Sequence, residues 1–170
     1  GIVEYRNNYV ATRVDAKTKS VKFETADDVR ADVLNFIPPQ SAGDIARQAG
    51  VITANNRWCE VDFLTFESVK VKHVHVLGDA IQIAPGMPKS GHMANQHAKV
   101  AAAAIVSILT GQPVNATPMV TNTCYSFITD KEVVHVASVH KYDRDKKTFL
   151  AVPGSGGLSP TWTAVEGEYA

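Results

Sequence analysis

The sequence has no surplus of charge, with 17 lysines and arginines set against 17 aspartates and glutamates. Polyanions and anionic membrane surfaces recruit proteins through a basic excess or a basic stripe, so this balance gives no support for nucleic-acid or general membrane-surface binding. Long apolar runs are missing too. The longest, Val100 to Leu109, is too short to cross a bilayer, and no membrane span is expected. Cysteine is scarce. Cys59 and Cys124 lie too far apart for a Cys-x-x-Cys motif, and their count leaves a disulfide and two thiols equally open. No Gly-x-Gly-x-x-Gly, Gly-x-Ser-x-Gly, His-Glu-x-x-His or phosphate-loop pattern occurs, which leaves a hydrolase or a nucleoside triphosphatase without support. Repeats and low-complexity tracts are absent from the text. There is no initiator methionine and no charged-then-apolar leader, and Gly1-Ile2-Val3-Glu4-Tyr5 starts as though inside a strand, so the chain is expected to be a piece of a longer protein.

What is present reads as alternating local patterns. Tyr9 to Val14 and Ser20 to Glu24 alternate apolar and polar residues around the turn Asp15-Ala-Lys-Thr-Lys, the pattern of a hairpin. Ala31 to Ile37 reads as a buried strand cut off by Pro38, which has no N–H for a ladder. Ala42 to Ala49 is expected to be a short helix, with Ser41 as N-cap and Gly50 as C-cap. Trp58 to Phe66 reads as extended, with Val61, Phe63 and Phe66 packed. In the last third, Thr123–Thr129, Val133–Tyr142 and Thr148–Val152 are strand candidates for an antiparallel sheet, after a proline-punctuated connection from Val114 to Val120. Pro153 to Gly157 is expected to be a flexible loop, and Leu158 to Ala170 has too little pattern to assign.

The stretch around which these elements are organised is His73-Val-His-Val-Leu-Gly-Asp-Ala80. A β-branched run closing on Gly-Asp-Ala predicts a buried strand with a sharp glycine turn and one carboxylate at its C-terminal end, where open α/β sheets hold ligands. Met87-Pro-Lys-Ser-Gly91 then opens a helix from about His92 to Leu109, closed by Gly111-Gln-Pro113. The helix N-terminus, with its unpaired N–H groups and positive dipole end, would face the same crevice as Asp79.

Val-Leu-Gly-Asp-Ala followed by a proline-containing turn and an Ala-rich helix resembles the second FAD-binding motif of flavoproteins built on two dinucleotide-binding domains. With Ile37-Pro-Pro-Gln40, Trp58-Cys-Glu-Val-Asp62 and Asn122-Thr-Cys-Tyr-Ser126, the text along nearly the whole chain resembles the flavoprotein-subunit family of flavocytochrome c sulfide dehydrogenases. The resemblance implies an α/β fold with an α+β C-terminal part. Residues 1–40 would end a pyridine-nucleotide-like domain, 41–113 would form the C-terminal half of an FAD-binding domain, and 114–170 a β-rich C-terminal domain. It implies FAD as cofactor, sulfide as substrate, a c-type cytochrome partner and a periplasmic location. Asp79 would accept a hydrogen bond from a ribityl hydroxyl, Gly78 and Ala80 would allow close approach, and Lys89, Ser90 and Gly91 would lie beside the flavin pyrimidine edge. Cys124 would be half of a redox-active disulfide whose other cysteine lies in the N-terminal half of such proteins, and Cys59 would be structural.

Each assignment has a plainer counterpart. Asp79 can be a turn residue, Lys89 a solvated lysine and Cys124 a small hydrophobe. His73 and His75 could give two metal ligands, but no third stands at sensible spacing, so no metal site is expected. His92 and His97 diverge on a helix, and His135 and His140 project to opposite faces of a strand. Trp162 could cover the flavin or anchor the tail. Two other readings stay open: a sulfide:quinone oxidoreductase-like flavoprotein, for which an apolar docking tail would be needed at the C-terminus, and a cofactor-free docking fragment.

Overall fold

A computed structural model describes residues 2–159, and Trp162 lies outside the described residues. The chain divides into two compact units, residues 1–39 and residues 40–170.

The first unit is a three-stranded antiparallel sheet of β1 (Ala11–Asp15), β2 (Ser20–Phe23) and β3 (Val29–Arg30). The expected hairpin forms, with Asp15 opposite Ser20 and a register shift between Ala11 and Arg13. Its turn is fixed by the Asp15 carboxylate, which accepts from the Lys17 and Thr18 amides at 2.9 and 3.1 Å. The buried strand expected over Ala31–Ile37 does not form. β2 starts at Ser20 and pairs there with Arg30, so beyond Ala31, whose amide reaches Lys19 O, β2 offers no further ladder edge. Val33 and Ile37 are accordingly 86% and 76% exposed.

The second unit opens with α1 (Asp44–Gln48), shorter than expected and capped by Gly43 rather than Ser41. Its end is a Schellman motif, in which Gly50 N donates to Arg47 O and Val51 N to Ala46 O, with Gly50 at φ 70°. The extended run from Trp58 to Phe66 is interrupted. β4 (Val61–Asp62) turns back into β5 (Glu67–Ser68), because Asp62 caps the turn through Leu64 N and Phe66 adopts φ 58°. The fully buried Phe66 ring offsets that backbone cost.

Residues 73–77 also depart from the expected buried strand. They are only half-buried or exposed, His73 takes φ 63°, and the pairing is reduced to one bridge, Glu67 with His75, supported by Val76 N to Phe66 O. A buried strand needs neighbours on both edges, and among the described residues only one edge is filled. After the 3₁₀ turn Gly78–Ala80 the chain pairs in parallel with residue 59: Cys59 N donates to Ala80 O and Gln82 N to Cys59 O.

α2 (Gly91–Leu109) forms as its composition implies, burying Met93, His97, Ala101 and Ala104 on one face. Gly111 and Gln112 close it with a second Schellman pair, to Ile108 O and Ser107 O. The β-rich end is a four-stranded antiparallel sheet in which β7 (Val133–Asp143) is flanked by β6 (Met119–Phe127) on one side and by β8 (Thr148–Ala151) and β9 (Gly157–Leu158) on the other. β6 starts earlier than the pattern suggested, and the expected 153–157 loop ends in β9. Gly156 crosses the Ala137 carbonyl so closely that a Cβ would stand 2.2 Å from its oxygen. α2 packs on β6, and Phe66, Ile81, Met93, Val120, Tyr142 and Phe149 form the core between helix, hairpin and sheet. The result is a mixed α/β arrangement of few helices with a β-rich C-terminal part.

Candidate functional site

The Gly78–Ala80 turn is held from three directions. Gly78 has φ 68°, and a Cβ there would lie 3.1 Å from Ala94 Cβ, so both backbone and helix packing call for glycine. Its amide donates to Nδ1 of His97 at 3.3 Å, an imidazole 1% exposed that meets Met87 Sδ through Nε2 at 3.3 Å and faces the Phe66 ring. Burial, helped by the charge of Lys89 and by His140, holds His97 down to about 4, so the ring is neutral and can accept. Lys89 closes the turn from the other side, donating to Asp79 O at 2.5 Å and to Ile81 O at 2.9 Å, with its ammonium 3.8 Å from the Trp58 ring centroid. Desolvation lowers the Lys89 pKa, opposed by the Asp79 carboxylate. Asp79 is exposed, and together with Ala80, Lys89, Trp58, Ser41 and Gly43 it lines a cavity of about 350 Å³.

Ser90 is the N-cap of α2, accepting from Met93 N at 3.0 Å, and Gly91 is the first helical residue with open space where a Cβ would be. The Ser90 hydroxyl also bonds Asn122 Oδ1 on β6, and Asn122 Nδ2 donates to Cys124 Sγ at 3.3 Å. A second stitch joins the same elements, Thr123 N to His92 Nδ1 at 3.2 Å. The exposed thiol of Cys124 is thereby linked through Asn122 to the Ser90 cap of α2. Cys59 is a free thiol, 0% exposed, set among Ala42, Ala46 and Val51, and burial raises its pKa.

All the candidate cofactor and catalytic positions therefore fall on the α2 N-terminus or on segments touching it. Asn122, Trp58 and His97 join them without having been singled out. Asn122 was legible in principle, since a residue two before Cys124 on a strand shares its face. His97 was set aside for diverging from His92, yet each reaches the site by a different route. His73 and His75 lie in the reshaped 73–77 segment, and among the described residues no group of three or more His, Cys, Asp or Glu could hold a metal ion.

A glycine turn where a side chain would collide, a carboxylate on a cavity wall and a positive helix end suit the sugar and ring portions of a flavin nucleotide. Among the described residues no helix is long and apolar enough to cross a membrane. Residues 116–170, which include Asn122 and Cys124, match the family model described as flavocytochrome c sulphide dehydrogenase, flavin-binding; the matched domain is a flavin-binding one, consistent with FAD as cofactor.

Proposed function

We propose that this chain is part of an FAD-dependent sulfide dehydrogenase that passes electrons to a c-type cytochrome. The reading is supported by one observation: the Ser90–Asn122–Cys124 connection, which ties an exposed thiol to the cap of the helix that also packs on the Gly78–Asp79–Ala80 turn. The matched description, flavocytochrome c sulphide dehydrogenase, flavin-binding, supports the same reading for residues 116–170.

In this reading Asp79 accepts from the ribityl chain, Gly78 and Ala80 let it approach, and the N-terminus of α2 at Ser90 and Gly91 with the Lys89 ammonium favours negative charge on the reduced ring. Lys89 acts partly through its hold on the Asp79 and Ile81 carbonyls. Cys124 pairs with a second cysteine outside this chain. Hydrosulfide attacks that disulfide, one S–S bond breaks as another forms to the sulfide sulfur, and the displaced cysteine leaves as a thiolate. Over the cycle, sulfide gives up two electrons and becomes zero-valent sulfur, and FAD supplies the two-electron acceptor. Residues 1–40, 41–113 and 114–170 then divide as the end of a pyridine-nucleotide-like domain, half of an FAD domain and the β-rich domain. A disulfide-dependent cycle fits the periplasm.

The test uses the full-length parent protein. Asp79→Ala should lower the flavin content of the purified protein several-fold, whereas Cys124→Ser should keep the flavin and lose sulfide-dependent cytochrome reduction. Full flavin content in the first variant would remove Asp79 from the cofactor site, and normal turnover in the second would remove Cys124 from the chemistry.

A further inference from the structure

The turn at Gly78–Ala80 is a run of peptide planes that the fold holds one by one. Gly78 O accepts from Ile81 N, Ala80 O from Cys59 N, and Asp79 O and Ile81 O from the Lys89 ammonium. The plane that begins the turn, between Leu77 and Gly78, is held through its buried N–H, which donates to Nδ1 of His97 at 3.3 Å. Glycine allows the φ of 68° and the close approach of Ala94, but it leaves that plane free to rotate, so a restraint has to come from elsewhere. An amide N–H can only donate. Nδ1 therefore carries the lone pair, and the neutral ring has its proton on Nε2, which faces Met87 Sδ at 3.3 Å. The imidazole is 1% exposed and stands 4.7 Å from the Phe66 ring between centroids. Burial keeps it neutral, helped by the charge of Lys89 and by His140.

We infer that His97 is a positioning residue for the ligand turn: its Nδ1 lone pair fixes the Leu77–Gly78 peptide and thereby sets where the Asp79 carboxylate stands on the cavity wall. This rests on the proposed flavin reading and adds a buried residue, not itself lining the cavity, on which binding at Asp79 depends. Loss of the acceptor orphans a buried N–H. The flexible glycine answers by turning that plane towards another acceptor, and Asp79 turns with it.

The test compares His97→Asn with His97→Leu in the full-length parent protein, with Asp79→Ala purified alongside. An asparagine side chain places Oδ1 at the same bond separation from Cβ as the histidine Nδ1, so it keeps the acceptor; leucine keeps more of the volume and has none. Flavin content per folded protein, with folding checked by circular dichroism, should stay within twofold of the unmodified protein for His97→Asn. It should fall about tenfold for His97→Leu, the size expected for one orphaned buried N–H. A packing role gives the reverse order, because asparagine is the smaller and more polar filling. That reverse order, or equal content in the two variants, would overturn the inference. Should both variants fail to fold, nitrogen NMR of the unmodified protein labelled in histidine and glycine decides: a glycine amide coupled across a hydrogen bond to an imidazole Nδ1 upholds the inference, and a His97 ring with its proton on Nδ1 overturns it. Asp79→Ala separates the two claims. A flavin-depleted Asp79→Ala beside equal or reversed His97 variants sinks the inference alone, whereas full flavin in Asp79→Ala sinks the flavin reading and the inference with it.

Discussion

Gly78 and Gly50 have nearly the same φ, 68° and 70°, but of the two only Gly78 has a neighbour waiting for a Cβ, Ala94 at 3.1 Å. Alanine at Gly50 should therefore cost about 1 kcal/mol, the left-handed penalty alone. Alanine at Gly78 adds contact with a helix that cannot retreat without unpacking Met93 and His97, and should cost roughly 1–2 kcal/mol more. Urea unfolding of both variants gives the comparison, and equal losses would mean that α2 yields at Ala94. The same glycine amide is anchored by His97, so a residue chosen for its missing side chain also fixes where the Asp79 carboxylate stands. Lys89 shows the complementary case. A lysine next to a helix cap reads as solvated, yet its ammonium lies on Trp58 and binds two carbonyls, because the turn brings those acceptors within reach.

Among the elements, three hairpin turns share one construction. Asp15, Asp62 and Asp143 each start a turn by accepting from the amides that follow, and Lys19, Phe66 and Lys147 each end it with positive φ. The carboxylate satisfies amides that the strands leave behind, and the left-handed residue returns the chain in register. Asp143→Ala should destabilise the β7–β8 hairpin by about 1 kcal/mol, lowering the thermal midpoint by several degrees with native β signal in circular dichroism. An unchanged midpoint would assign the turn to strand pairing alone. For β1–β2 the turn text between alternating runs was enough to place the hairpin, and β7 and β8 were expected as strands of an antiparallel sheet. The β4–β5 turn was missed, because Phe66 is neither glycine nor asparagine and occupies its position for the sake of core burial.

Across the whole molecule, His97 joins the Gly78 turn, the Phe66 hairpin, Met87, α2 and, through its electrostatic partner His140, the sheet. His97 binds its proton near 4 in the folded state but near 6.5 when unfolded, so the unfolded chain holds more protons between these values. Its contribution is complete above about pH 6.5 and is lost as pH falls towards 4. His140, lowered by burial, acts in the same sense. Urea unfolding of the wild type should lose stability across that window more steeply than His97→Phe, and parallel pH profiles would show that His97 is not protonated on unfolding. Periodicity and turn residues in the sequence determined the β1–β2 hairpin, α2 with its Gly111 end, and the β-rich finish, because each depends on neighbours a few residues away. The Gly-Asp-Ala text likewise pointed to the turn by itself. Tertiary structure alone decided that 31–37 stays exposed, that 73–77 is not a full strand, and that Ser90, Asn122 and Cys124 meet. Strand pairing and buried hydrogen bonds depend on which edges and donors the rest of the chain supplies, and no local pattern carries that information.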